Sequence, residues 1–257
     1  MKVMLLAALL GGARAAAAPA FGPTAVAGPA ATPGPPVLIA AAADLRYAMD
    51  SLVALYTKSH PEANVQVVYG SSGNFFEQIK NGAPFDLFFS ADMSYVEHLR
   101  EAGKLSGPVI RYAMGHLVLW SLHADVSKGM SVLTDVAKIA IANPEHAPYG
   151  QRAVESLKYF KIYDAVQSKL VMGENISQAA QFAATGSADV GMIALSLALS
   201  PPMRNGHYWV VPEESHGPLE QGFALLAHAA GNNAAADFAA FVQSAPAREL
   251  LHRFGFQ

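Results

Sequence analysis

The chain has no cysteine among its 257 residues, which rules out a disulfide framework, a thiolate nucleophile and a lipid-bearing cysteine. It is also short of positive charge, with 17 lysines and arginines against 20 acids. Two of the basic residues, Lys2 and Arg14, fall in the first 36 positions, where there is no acid, so 15 basic and 20 acidic side chains remain beyond them, a formal charge of −5. Nucleic acid needs a basic footprint and is therefore excluded as a partner. A bound anion has to be held by local dipoles, because net charge will not attract it. Long apolar runs are missing too: no stretch reaches the roughly 18 to 20 uninterrupted apolar residues of a membrane-spanning helix. The nine histidines nowhere show paired zinc spacing, "HExxH" does not occur, and "GSSGN" (70–74) lacks the Gly-Lys-Ser/Thr ending of a phosphate loop. No metal ligation by side chains and no cofactor is expected.

What the chain does have is apolar content, 52%, enough to bury a core in one two-lobed unit without staples. A cysteine-free chain of this kind suits the bacterial periplasm. The first twenty residues read as a secretory signal peptide: a basic Lys2, an apolar stretch from Val3 to Leu10, and A-x-A sites at Ala13 to Ala15 and Ala18 to Ala20. Residues 21–36, "FGPTAVAGPAATPGPP", are almost wholly Ala, Gly, Pro and Thr and read as an extended linker.

From Val37 onward strand-like and helix-like segments alternate. The first run is "VLIAAA", a helix from Asp44 with Leu45, Met49, Leu52, Val53 and Tyr56 on one face, "VQVVY", a helix from Ser72, "DLFFS", and a helix over 93–102. A second run holds "KIAIAN", helices over 149–159 and 175–185, "DVGMIA" and "YWVVP". This is an α/β pattern of two lobes, each a mostly parallel sheet flanked by helices. Two apolar segments, "RYAMGHLVLWS" (111–121) and "LEQGFALLAH" (219–228), read as strands crossing between the lobes and forming a hinge. The expected division is 37–115 with 225–257 for lobe 1 and 116–224 for lobe 2.

Four places share one local design, in which a strand ends, small or hydroxyl residues follow, and a helix starts: "AAAADL" (40–45), "YGSSGN" (69–74), "PEHAPYG" (144–150) and "GENISQ" (173–178). Taken singly, each reads as an ordinary cap by Asp44, Ser72 or Asn175. Taken together on two lobes, they aim several helix N-termini at one crevice, where an anion meets donors from all of them. Gly70 and Gly73 would let backbone N–H groups come close to a ligand. Tyr149 can donate through its phenol, and His146 reads as a structural hydrogen-bonding residue. Ser71 and Ser72 are framed by Gly70 and Gly73, without the Gly-x-Ser-x-Gly spacing of a nucleophile elbow. A serine hydrolase would need a base beside one of them.

With "AAAADLRYAMDSL", "YGSSGNFFEQIKNGAPFDLFFSAD", "IANPEHAPYG", "GENISQAAQF" and the final "RFGF", the chain resembles the periplasmic molybdate-binding proteins of ABC transporters over 37–257. The resemblance implies a type II-like periplasmic binding protein fold, and a monomer that carries molybdate or tungstate to an ABC permease without catalysis. It places oxyanion contacts at Ala43 and Asp44, at Ser72, at Tyr149 and at the backbone N–H of Ile176, with Ser71, Asn175 and Ala194 nearby. The sequence departs from the family at Asp44, where many members have Ser or Asn. A carboxylate there is expected to turn away and cap its own helix. It departs again at Ala194, where some members have a tyrosine, and at Tyr149, where those members have a small residue. A binder of another oxyanion such as sulfate and an exported serine hydrolase are the alternative readings.

Overall fold

The computed structural model describes residues 35–257, so the expected signal peptide (1–20) and nearly all of the expected linker (21–36) lie outside the described residues. Two five-stranded sheets organise the chain. The first is entered by β1 (Pro36–Ala42), α1 (Arg46–Ser59), β2 (Asn64–Gly70), α2 (Ser72–Lys80), β3 (Leu87–Ser90), α3 (Met93–Glu101) and β4 (Ile110–Met114). The second is built from β5 (Leu117–Ser121), α4 (Val132–Asp135), β6 (Ile139–Ala142), α5 (Pro148–Tyr159), α6 (Tyr163–Val166), β7 (Leu170–Gly173), α7 (Ile176–Ala184), β8 (Val190–Ala194), α8 (Leu195–Ala198) and β9 (His207–Val210). The chain then returns to the first sheet through β10 (Glu220–Leu225), followed by α9 (Asn233–Val242) and α10 (Ala245–Arg253).

Both sheets follow one plan. The orders are β2-β1-β3-β10-β4 and β7-β6-β8-β5-β9. In the first, β1, β2 and β3 are parallel, and β10 lies antiparallel to both β3 and β4. In the second, β6, β7 and β8 are parallel and β5 is reversed between β8 and β9. Each sheet is thus parallel apart from one reversed strand, and helices cover it as expected.

Successive residues of a strand face opposite sides of the sheet, and the cores obey that period of two. Ile39, Ala41, Leu87 and Phe89 pack with Met49, Leu52 and Tyr56 of α1 and Phe238 of α9. Ala40 and Phe88, one residue out of step, pack on the other side with Phe75 and Ile79 of α2 and Val96 and Leu99 of α3. The core of the second lobe takes in Trp120, Ile139, Ile141, Leu157 and Met192, and reaches across to Ala42, Ala43 and Ala91 of the first.

The chain first passes from one sheet to the other at Gly115 and His116, between β4 and β5. The return crossing differs. It runs from Val211, whose N–H donates to Leu117 O at 2.9 Å, to Leu219, whose carbonyl accepts from Gly115 N at 2.9 Å. Glu220–Leu225 is a central strand of the first sheet, so the expected lobe boundary at 224/225 moves back to the start of β10. A strand buried on both faces reads as a continuous apolar run, just as a crossing segment would. The sequence reading also passed over β7, four residues at a sheet edge, of which only Gly173 is fully buried.

Candidate functional site

The four strand-to-helix junctions meet at one small cavity between the lobes. Its wall brings together six expected residues: Ala43, Asp44, Ser71, Ser72, Tyr149 and Ile176. The remainder of the wall is Ala42, Gly70, Ala91, Ala147 and Pro148, small or imino residues that leave backbone exposed to the cavity. Asn175 and Ala194 are not part of it. Asn175 instead caps α7, its Oδ1 accepting from Ser177 N at 3.0 Å and Gln178 N at 3.1 Å. Ala194 ends β8, fully buried opposite Leu117.

The helix starts explain what the cavity can do. The Ala43–Leu45 turn that leads into α1, and the starts of α2 and α5, have no capping side chain. By contrast α3, α7 and α10 are capped by Asp92, Asn175 and Ser244. The first N–H groups of a helix have no partner within it, so an uncapped start inside the protein presents donors to whatever lies in front of it. In α7, Asn175 takes the N–H groups of Ser177, Gln178 and Ala179 through its side chain and carbonyl, which leaves the Ile176 N–H at the cavity wall. Ser72 is fully buried and its Oγ accepts from Ala91 N at 3.0 Å, so its own proton is free to donate elsewhere.

Gly73 does not face the cavity. Its N–H donates to His146 O at 2.9 Å across the lobes, which corrects the expectation that it opens backbone to a ligand. His146 is structural, as expected, with Nδ1 2.8 Å from Ser71 Oγ. Its Nε2 lies 3.7 Å from Glu174 Oε1, which also accepts from Asn74 Nδ2 at 2.6 Å. Arg152 of α5 reaches Asp92 Oδ2 at 2.9 Å, and Ser196 Oγ donates to Asp44 O at 2.7 Å. The Gly73–His146, Ser71–His146, Asn74–Glu174, Arg152–Asp92 and Ser196–Asp44 bonds each join one lobe to the other, so the cleft is closed. A serine beside an imidazole is what the hydrolase alternative asked for. Here the two side chains come from different lobes, and the pair joins them.

The Asp44 carboxylate does not cap its own helix, which corrects that expectation. The carboxylate is 1% exposed, and its Oδ2 accepts from Gln221 Nε2 at 2.6 Å. Gln221, fully buried in β10, also donates to Tyr149 Oη at 3.3 Å, while its Oε1 accepts from the Tyr112 hydroxyl. Burial pushes the Asp44 carboxyl up to about 6, against the pull of Gln221, Tyr149 and the backbone N–H groups of Asp44 and Leu45. None of these reaches Oδ1 in hydrogen-bond geometry. Burial, then the charge of Asp44, holds Tyr112 and Tyr149 well above the ordinary phenol range, so both stay protonated donors. Among the described residues, no lysine, arginine or histidine lines the cavity.

The family model described as bacterial extracellular solute-binding protein matches residues 37–257. The chain belongs to this family. Among solute-binding proteins, it is 37% identical over 225 residues to the molybdate-binding protein ModA of Rhodobacter capsulatus, covering 86% of this chain and 87% of that one. It is 34% identical to ModA of Azotobacter vinelandii, covering 86% and 89%. The solved Azotobacter vinelandii periplasmic molybdate-binding protein superposes with a TM-score of 0.80 at 29% identity, over 86% of this solute-binding protein and 98% of that chain. Gln221 and Tyr112 escaped the sequence reading. The signal for Gln221 was present: a lone amide inside the apolar run "LEQGFALL", where a buried polar side chain needs a partner.

Proposed function

We propose that this solute-binding protein captures molybdate in the closed cleft between its lobes and delivers it to an ABC permease. It is a transport binding protein, not an enzyme. The observation that carries the reading is the set of uncapped helix starts converging on one small cavity with no cation on its wall. Molybdate is a tetrahedral dianion, fully deprotonated near neutrality, so a wall of neutral donors suits it. Each hydrogen bond to a charged group contributes about 1.5 to 3 kcal/mol, so five or more such bonds sustain strong binding after the cost of ordering the cleft. The donors in this reading are the Ser72 hydroxyl, the Tyr149 phenol and the backbone N–H groups of Ala43, Asp44, Ser72 and Ile176.

Tungstate matches molybdate in charge and shape and belongs to the same proposal. Sulfate is smaller and would leave contacts stretched. Export by the N-terminal segment and action as a monomer complete the reading. Calorimetry with molybdate, tungstate, sulfate and phosphate tests it. Tight binding of the first two and none of the others is expected, and silence from molybdate would sink it. Tyr149→Phe removes one donor to the anion and should weaken molybdate binding by roughly 1 to 2 kcal/mol in the same titration. An unchanged affinity would move Tyr149 out of the site.

A further inference from the structure

Capture of an oxyanion leaves one group on the cavity wall out of place. Asp44 contributes a buried carboxylate, and a carboxylate accepts hydrogen bonds without donating any. Its surroundings supply no counter-charge. The Tyr112 phenol faces it from β4, the Tyr149 phenol from α5, and the Gln221 amide from β10. From α8, Ser196 Oγ donates to the Asp44 carbonyl and not to the carboxylate. Next along the chain, Arg46 lies 4.7 Å from the centre of the Tyr69 ring, and His116, between β4 and β5, turns Nδ1 to Glu213 Oε1 at 3.0 Å. Among the described residues, no lysine, arginine or histidine acts on the Asp44 carboxyl.

A dianion seated on the neighbouring donors would therefore meet a second, uncompensated negative charge in a closed, buried space, where like charges repel strongly. Protonating the carboxyl removes the conflict without moving the chain, and converts an acceptor into a donor. The position for the proton is also defined: Oδ2 is engaged by Gln221 at 2.6 Å, whereas Oδ1 has no partner. We infer that this protein binds its oxyanion together with one proton, which comes from solvent, resides on Asp44 Oδ1 and is donated in a hydrogen bond to the ligand. The inference rests on reading the cleft as an oxyanion site. It makes Asp44 a contact that reports pH, where a serine or asparagine at this position would donate without titrating.

Burial already favours the neutral form, with the carboxyl up at about 6 in the closed protein, and a dianion beside it pushes the value higher. The free protein thus loses this proton at a lower pH than the complex does. Between the two values the complex holds one more proton than its separated components, so binding weakens as pH rises through that window and levels off below it.

Titration calorimetry with micromolar sodium molybdate at pH 7.5, in two phosphate-free buffers of different ionisation enthalpy, counts the protons directly. Uptake approaching about one proton per molybdate is expected, with affinity falling as pH rises above about 6, by up to about tenfold per pH unit. Asp44→Asn supplies an N–H donor that does not titrate, and should bind with no proton uptake and a flat pH profile. Molybdate binding by the natural protein without proton uptake overturns the inference and leaves molybdate capture standing. Equal uptake by Asp44→Asn also overturns it, by placing the proton elsewhere. Absence of molybdate binding at every pH defeats the reading beneath it. Should Asp44→Asn fail to fold, the proton count on the natural protein decides alone.

Discussion

Replacing Gly73 with alanine is expected to weaken molybdate binding by about tenfold to a hundredfold while leaving the ligand-free protein at least as stable as before. A Cβ at this position would lie 2.7 Å from His146 O, 2.9 Å from His146 Cα and 3.0 Å from its Cβ. Two of those atoms are backbone and cannot swing aside, so the lobes must stay apart or the loop carrying His146 must shift. Overpacking of this kind costs about 1 to 3 kcal/mol, and here the cost falls on closure, because Gly73 and His146 belong to different lobes. The Gly73 N–H to His146 O bond, 2.9 Å long, would stretch with it. Within α2 itself alanine is the better helix former, which keeps the open protein from losing stability. Paired titration and thermal melts check this: an unchanged affinity would mean that the cleft does not close onto His146, and a large drop in melting temperature would mean that Gly73 matters for folding.

Gly150→Ala carries the same chemical change to a place where it should act on folding. The added Cβ would stand 2.8 Å from Ala142 C and 2.9 Å from Pro144 N, and closer still to Ala142 O. All three atoms are backbone within the second lobe, at the end of β6, against which the start of α5 is pressed. The helix must back away from the strand that supports it, at an expected cost of about 3 kcal/mol. For a chain of this size that lowers the melting temperature by roughly 6 to 12 °C. Tyr149 precedes Gly150 in the same turn, so molybdate affinity should fall as well. An unfolding midpoint equal to that of the natural protein would contradict the close approach of α5 to β6.

The two glycines also mark where sequence reading works and where it stops. The small residues around Ser72 and Tyr149 announced helix starts, and α2 and α5 begin where that pattern placed them. The four junctions could be assembled into one anion site because a parallel strand followed by a helix has one workable geometry. What Gly73 touches was not legible, since His146 lies in another lobe and no local pattern encodes the meeting. The same limit explains Asp44. Capping is a local reaction that a sequence can suggest, whereas the bond to Gln221 spans 177 positions and depends on β10 lying in the first sheet. Read as a crossing segment, Leu219–His228 offers no place in a sheet from which Gln221 could partner a buried carboxylate. Continuous burial of β10 hid its membership of a sheet, and the brevity of β7 hid its existence.

The return of β10 to the first sheet has a consequence for the order in which the molecule can be completed. The strands of the second sheet are one continuous length of chain, all present as soon as residue 210 has been made. The first is begun at residue 36, yet its strands β3 and β4 have no common neighbour until residues 220–225 arrive to fill the slot between them. Until then each presents an open edge with unpaired backbone groups. The lobe begun first by the ribosome is therefore the last that can be sealed.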